Sequence, residues 1–168
     1  KITNLKRWLV NFSDEIDIND KLHFSAQYSR VSDSEYFKEI ARSNTDVKTL
    51  KSHIKLSYED EENNLSAALL TEDEQVVNAG VAVYTRALEG SISKTLNAGT
   101  IMPVKVSLVS TKFAHDTKSK TAGVRTHGDL GISRQLNIEY PKITPRASVA
   151  ITNYSLKNNP NINRTVLG

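Results

Sequence analysis

The feature that most constrains this chain is an alternation, repeated from segment to segment, of one apolar residue with one small polar residue. In 22–28, Leu22, Phe24, Ala26 and Tyr28 alternate with His23, Ser25 and Gln27. In 129–140, Leu130, Ile132, Leu136, Ile138 and Tyr140 alternate with Asp129, Gly131, Ser133, Gln135, Asn137 and Glu139. Successive side chains of a strand point to opposite faces, so a period of two builds sheets with one oily and one hydrophilic face. In a soluble sandwich the oily face is the core. In an outer-membrane barrel it faces lipid, and the polar face lines water.

Composition leaves both options standing. The chain is polar, with mean hydropathy −0.42, 38% hydrophobic and 24% charged residues. It has no apolar run long enough for a transmembrane helix, but alternating strands need none. A net charge of +3, with the basic residues dispersed, does not point to nucleic acid. Cysteine is absent, which excludes disulfides and cysteine-based metal sites. The opening KITNLKRWLV has too short an apolar run for a secretory signal. The 168 residues read as a single β segment, 1–168, cut from a longer chain.

The pattern predicts strands near 5–12, 21–31, 51–59, 64–71, 75–88, 90–97, 102–113, 121–139 and 145–156. The expected turns are DEIDIND at 14–20, DEENN at 60–64, EDE at 72–74, Glu89–Gly90 and YPKITP at 140–145. Between 32 and 46, SEYFKEIAR predicts a helical turn capped by Ser34, with Phe37, Ile40 and Ala41 on one side. The fold class is therefore all-β: an antiparallel meander of about 8–10 strands, part of an up-and-down outer-membrane barrel.

Catalytic signatures are thin. Ser91–Lys94 and Ser52–Lys55 both satisfy S-x-x-K, but neither falls on a helix and no K-T-G accompanies them. His23, His53, His115 and His127 are scattered and read as solvated residues, not metal ligands. No enzyme, metal or cofactor is expected. Acidic residues at 14–20, 59–62 and 72–74 read as solvated turn tips, or as a negative rim. Tyr28, Tyr58, Tyr84, Tyr140 and Tyr154 fall toward strand ends, as in an interfacial girdle. The polar rows are rich in small uncharged residues, which suits a wet interior better than an outer surface. Arg134 and Asn153 interrupt apolar rows, and a lipid-facing assignment requires the Arg134 charge to lie near a rim or at a bulge.

The segment DLGISRQLNIEYPKITPRASVAITNYSL resembles the strand–YP turn–strand hairpin of the C-terminal barrel in PelB-type exopolysaccharide porins, and GSISKTLNAGTIMPVKVSLV fits the strand order upstream of it. That resemblance, over about 50–156, implies part of a barrel of about sixteen strands in the bacterial outer membrane, exporting a biofilm polysaccharide. It also implies a helical-repeat region upstream that binds periplasmic export or modification proteins. The expected partners are polysaccharide and outer-membrane lipid. On this reading Ser25, Gln27, Ser133, Gln135, Asn137 and Ser148 exchange hydrogen bonds with sugar hydroxyls, and Glu59, Asp129 and Glu139 attract amines. Strand parity alone assigns these residues, and a register slip of one would reverse them all. The alternative is a soluble all-β glycan-binding or adhesin-like module with Trp8 and Tyr154 as sugar-stacking platforms.

Overall fold

Nine strands run in order through the computed structural model, which describes residues 6–41, 47–77, 81–100, 102–115, 120–134, 136, 143–157 and 162–167. They are β1 (Leu9–Asn19), β2 (Leu22–Val31), β3 (Thr49–Asp60), β4 (Leu65–Val76), β5 (Thr85–Leu96), β6 (Val104–Ala114), β7 (Gly123–Ser133), β8 (Arg146–Leu156) and β9 (Ile162–Leu167). Each pairs antiparallel with the next, giving one sheet in the order β1 to β9. The expected all-β meander is what forms. The connections at 20–21, 61–64, 97–103 and 134–145 lie at one end of the sheet, here the hairpin end. Those at 32–48, 77–84, 115–122 and 157–161 lie at the other, the loop end.

The registers assign every strand residue to a face. Phe24, Leu56 and Leu69 stand side by side on one face, as do Tyr58, Ala67, Ile92 and Leu108, and Val106, Leu130 and Val149. The opposite face carries Ser25, Lys55, Ser66, Ser93, Ser107, Asp129 and Thr152. Exposure is inverted relative to a soluble sheet. Along β8, Ala147, Val149 and Ile151 are exposed while Ser148, Ala150 and Thr152 are half-buried. Among the described residues only Val31 and Val77 are buried apolar side chains, whereas Leu69, Leu88, Leu130 and Ile151 are each more than half exposed. A soluble domain of this length buries a substantial core. This sheet has none, and its oily face is the outer one.

Several boundaries differ from the sequence reading, three of them because acidic residues that read as turn tips lie on strands. Asp14 to Asn19 complete β1, with a bulge between Asp17 and Asn19. Glu72–Glu74 continue β4, and Glu89–Gly90 lie inside β5. The expected strands 75–88 and 90–97 are thus parts of β4, a connection and β5. The strand expected over 121–139 ends at Ser133, and β9 was not expected at all. A helical turn does form, at Phe37–Ala41, but Asp33 rather than Ser34 accepts the hydrogen bond from the Glu35 amide (3.1 Å).

Two local features position the rest. At the hairpin end, the buried Asp60 carboxylate accepts from Tyr58 Oη (3.1 Å), from Asn63 N and Nδ2 (3.2 and 2.9 Å), and from Lys21 Nζ (3.0 Å). It thereby ties the β1–β2 turn to the β3–β4 turn, where Asn64 adopts φ 49°. At the loop end, the β2–β3 ladder stops at Gln27↔His53. Beyond it, the Ser52 hydroxyl serves the Ser29 N–H (3.0 Å), and the Gln75 amide serves both N–H and C=O of Val31 (2.9 and 2.8 Å).

Candidate functional site: the polar face

The polar face is an extended wall, not a single cleft. Of the residues singled out by parity, Ser25, Gln27, Glu59, Asp129, Ser133 and Ser148 all lie on it. Gln135, Asn137 and Glu139 lie outside the described residues. The six fall into two groups. Ser25 and Gln27 sit on β2 opposite Lys55 and His53, with Glu59 at the hairpin end of β3 opposite Ser66. Asp129, Ser133 and Ser148 line one groove of about 350 Å3 with Lys105, Arg146 and Thr95. β4 to β6 separate the groups.

Between them lies a network that parity reasoning did not reach, because its acids were read as turns. The Arg86 guanidinium donates to both Glu72 oxygens (2.8 and 2.5 Å) and to Glu89 Oε1 (3.0 Å). The Thr111 hydroxyl, fully buried, donates to Glu89 Oε2 (2.8 Å). A bulge between Arg86 and Leu88 makes this possible, since it keeps Leu88 on the apolar face while turning Arg86 to the polar one. The two carboxylates and Arg86 border a groove of about 480 Å3 that also holds His53, Lys55 and Ser91.

Charge is divided across this wall. On β1–β5 the polar face carries Glu15, Asp17, Glu59, Glu72, Glu74 and Glu89 against Lys51, Lys55 and Arg86. On β6–β9 it carries Lys105, Arg125, Arg146 and Arg164 against Asp129 alone, among the described residues. Arg125 stacks over the Phe113 ring at 5.4 Å, and its buried Nε has no hydrogen-bond partner. Beside it, the His127 ring shares a hydrogen bond with Thr152 (2.8 Å).

The S-x-x-K pairs are split by the pleat. Ser91 faces the polar side and Lys94 the apolar side; Ser52 and Lys55 also point oppositely. No cluster of His, Asp or Glu among the described residues could hold a metal.

On the apolar face, the two interruptions noted in the sequence lie at rims. Arg134 follows the last residue of β7, its N–H on Pro145 O (3.1 Å), and Asn153 sits toward the loop end opposite Thr126. Tyr28 and Tyr58 stand on that face near opposite ends. Tyr154 does not join them: it is on the polar face opposite Arg125, and Tyr140 lies outside the described residues. Asp14 is a carboxylate facing outward between Phe12 and Ile16 on β1.

No curated protein matches this sequence. A family-level comparison does match, over residues 5–166, to the family described as LptD, LPS transport system D. This corrects the resemblance to PelB-type porins, which rested on one hairpin and on an alternation common to outer-membrane barrels; the match here spans nearly the whole chain. It agrees with the inverted faces: the protein is an outer-membrane β-barrel protein, and no helix among its described residues is long and apolar enough to cross a membrane. The chain belongs to the LptD family, whose outer-membrane barrels serve transport of a surface glycolipid.

Proposed function

We propose that the polar face of this sheet conducts the hydrophilic part of lipopolysaccharide through the outer membrane, while the apolar face contacts the bilayer. The observation that carries this reading is the charge division just described. A phosphorylated glycan meets cations beside the hydroxyls of Ser133 and Ser148 on β6–β9, and small hydroxyl and amide groups on β2–β3. Arginine suits phosphate because its planar guanidinium offers a fork of donors. Ser25, Gln27, Ser133 and Ser148 offer short, exchangeable hydrogen bonds, which let a chain move without being held. Exopolysaccharide export has no support from the family.

The test places a photo-crosslinking amino acid at Lys105, Arg146 or Ser148 on the polar face, and at Val149 or Leu130 on the apolar face, in the protein as it sits in growing cells. Adducts with lipopolysaccharide are expected at the first three positions and not at the last two. Equal labelling of both faces, or none at the polar positions, would overturn the reading.

A further inference from the structure

The groove over β3–β5 lies wholly on the polar face, yet its floor is apolar. Ala68 and Leu70, both half-buried, point into it from β4. Its rim is made by His53, Lys55, Glu72, Arg86, Glu89 and Ser91. Leu70 lies between Lys55 and Glu89 on the neighbouring strands, and Ala68 between Ser57 and Ser91. Lys55 and Ser91 are thus two strand spacings apart, about 10 Å, with the floor between them. A volume of about 480 Å3 is in the range of small-molecule sites, which pair an apolar lining with a few orienting polar groups.

The charges decide what can lie there. All four oxygens of Glu72 and Glu89 already accept a hydrogen bond, three from Arg86 and one from Thr111. One guanidinium balances only one of the two carboxylates. The Lys55 ammonium balances the other; it is exposed and makes no hydrogen bond or ion pair among the described residues. The charged side chains of the lining are therefore two of each sign. A phosphate over the floor would face two carboxylates as well as Lys55, and an ammonium would face Arg86 and Lys55. An uncharged ligand meets neither repulsion.

Hydrogen-bonding groups remain for it. The His53 ring, the Ser91 hydroxyl and the Lys55 ammonium have no side-chain partner among the described residues. The matching ligand is a ring with one apolar face for Ala68 and Leu70 and hydroxyls at its edge for these three groups.

We propose that this groove is a docking site for one uncharged hexopyranose unit of the glycan. The proposal rests on the reading that the polar face carries a glycan, and it narrows that reading. The acid-rich part of the wall takes neutral sugar, because its carboxylates are engaged by Arg86 and Thr111 and Lys55 completes the balance.

The test uses the intact protein in phosphatidylcholine nanodiscs at pH 8, where imidazole is uncharged. It reads saturation-transfer NMR from the protein to methyl glucoside, 2-aminoethyl glucoside and glucose 6-phosphate. Methyl glucoside should take up the most signal, about fivefold more than either charged sugar. Ala68→Phe covers the floor and should abolish that signal. Lys55→Gln leaves one carboxylate without a counter-charge and should move the preference to 2-aminoethyl glucoside, while Lys55→Arg should keep the native order. Heat-modifiable gel mobility shows which variants have assembled, and Lys55→Gln, at an exposed position, carries the test if Ala68→Phe does not. The proposal is overturned if the native protein prefers either charged sugar or transfers signal to none. It is also overturned if assembled Ala68→Phe keeps the native signal, or if Lys55→Gln leaves the order unchanged. Lipopolysaccharide crosslinking at Ser148 in the native protein, scored alongside, separates these outcomes from failure of the transport reading, which would abolish the crosslink itself.

Discussion

Single residues hold the wall together where backbone pairing alone does not. The hydrogen bond that the Lys21 ammonium donates to the Asp60 carboxylate holds its pKa above the ordinary value of 10.5, with the Glu62 carboxylate adding to the effect. A group whose pKa is raised on folding contributes stability that is fully present below its unfolded value and lost as pH rises through the folded one. The temperature at which gel mobility changes on heating should therefore fall as pH rises above about 10.5 in the native protein, and Lys21→Gln should lack that step. The Arg86 network makes a second case. Arg86→Met takes the shared cation from Glu72 and Glu89 and should cost about 1–3 kcal/mol, while adding Glu72→Met should recover part of it, as a thermal double-mutant cycle would show. At this scale the sequence was only partly legible. Parity placed Ser25, Gln27, Asp129, Ser133 and Ser148 on one face because small polar residues alternate cleanly with apolar ones there. It missed Arg86, Glu72 and Glu89 because a bulge shifts parity and because carboxylates in a row look like a solvated turn.

At the level of the strand, the question is which face tolerates charge. Leu130→Arg or Val149→Lys puts a cation at the middle of the apolar belt, where it costs about 2–4 kcal/mol, so assembly into a heat-modifiable barrel should fail or drop sharply. Ser148→Arg and Ser133→Lys add the same charge on neighbouring positions of the same strands, and should assemble normally. Equal outcomes for the two sets would refute the face assignment. Strand existence was readable wherever apolar and polar residues alternate strictly, as in 22–28 and 104–108. Strand length was not, because acidic residues such as Glu15, Asp17, Glu72, Glu74 and Glu89 serve the polar face of a pore as readily as the tip of a hairpin. Sequence cannot tell these uses apart without the register.

Across the whole molecule, the drift of the belt fixes how the sheet stands in the bilayer. The outward apolar triplet is Ile54, Leu56 and Tyr58 on β3 and Ala147, Val149 and Ile151 on β8, while the cross-strand row from Leu56 leads to Asn153. The belt thus shifts four residues, about 14 Å, over five strand spacings, about 24 Å, a tilt of about 30°, near the 35–45° usual for outer-membrane strands. It predicts that Phe24 on β2 and Leu130 on β7 lie at equal depth, although their registers place them four residues apart. Phe24 and Asn153, which share a cross-strand row, should differ in depth by well over a strand spacing. Nitroxides at the three positions, read by depth-dependent relaxation, check this; a common depth for Phe24 and Asn153 would mean untilted strands. Cysteines at Ser148 and Asp129 should react with a membrane-impermeant maleimide while one at Val149 does not. The break in the β2–β3 ladder now carries a further meaning. Hydrocarbon does not tolerate backbone groups that lack partners, so a ladder can be handed over to side chains only where water or headgroups can rescue it when they let go. Ser29 and Val31, held by a hydroxyl and an amide in place of a neighbouring strand, are therefore a waterline. Their amides should exchange hydrogen after a local opening of one side chain, while Ser25 and Gln27, facing β3 within the β2–β3 ladder, keep theirs until the sheet itself comes apart.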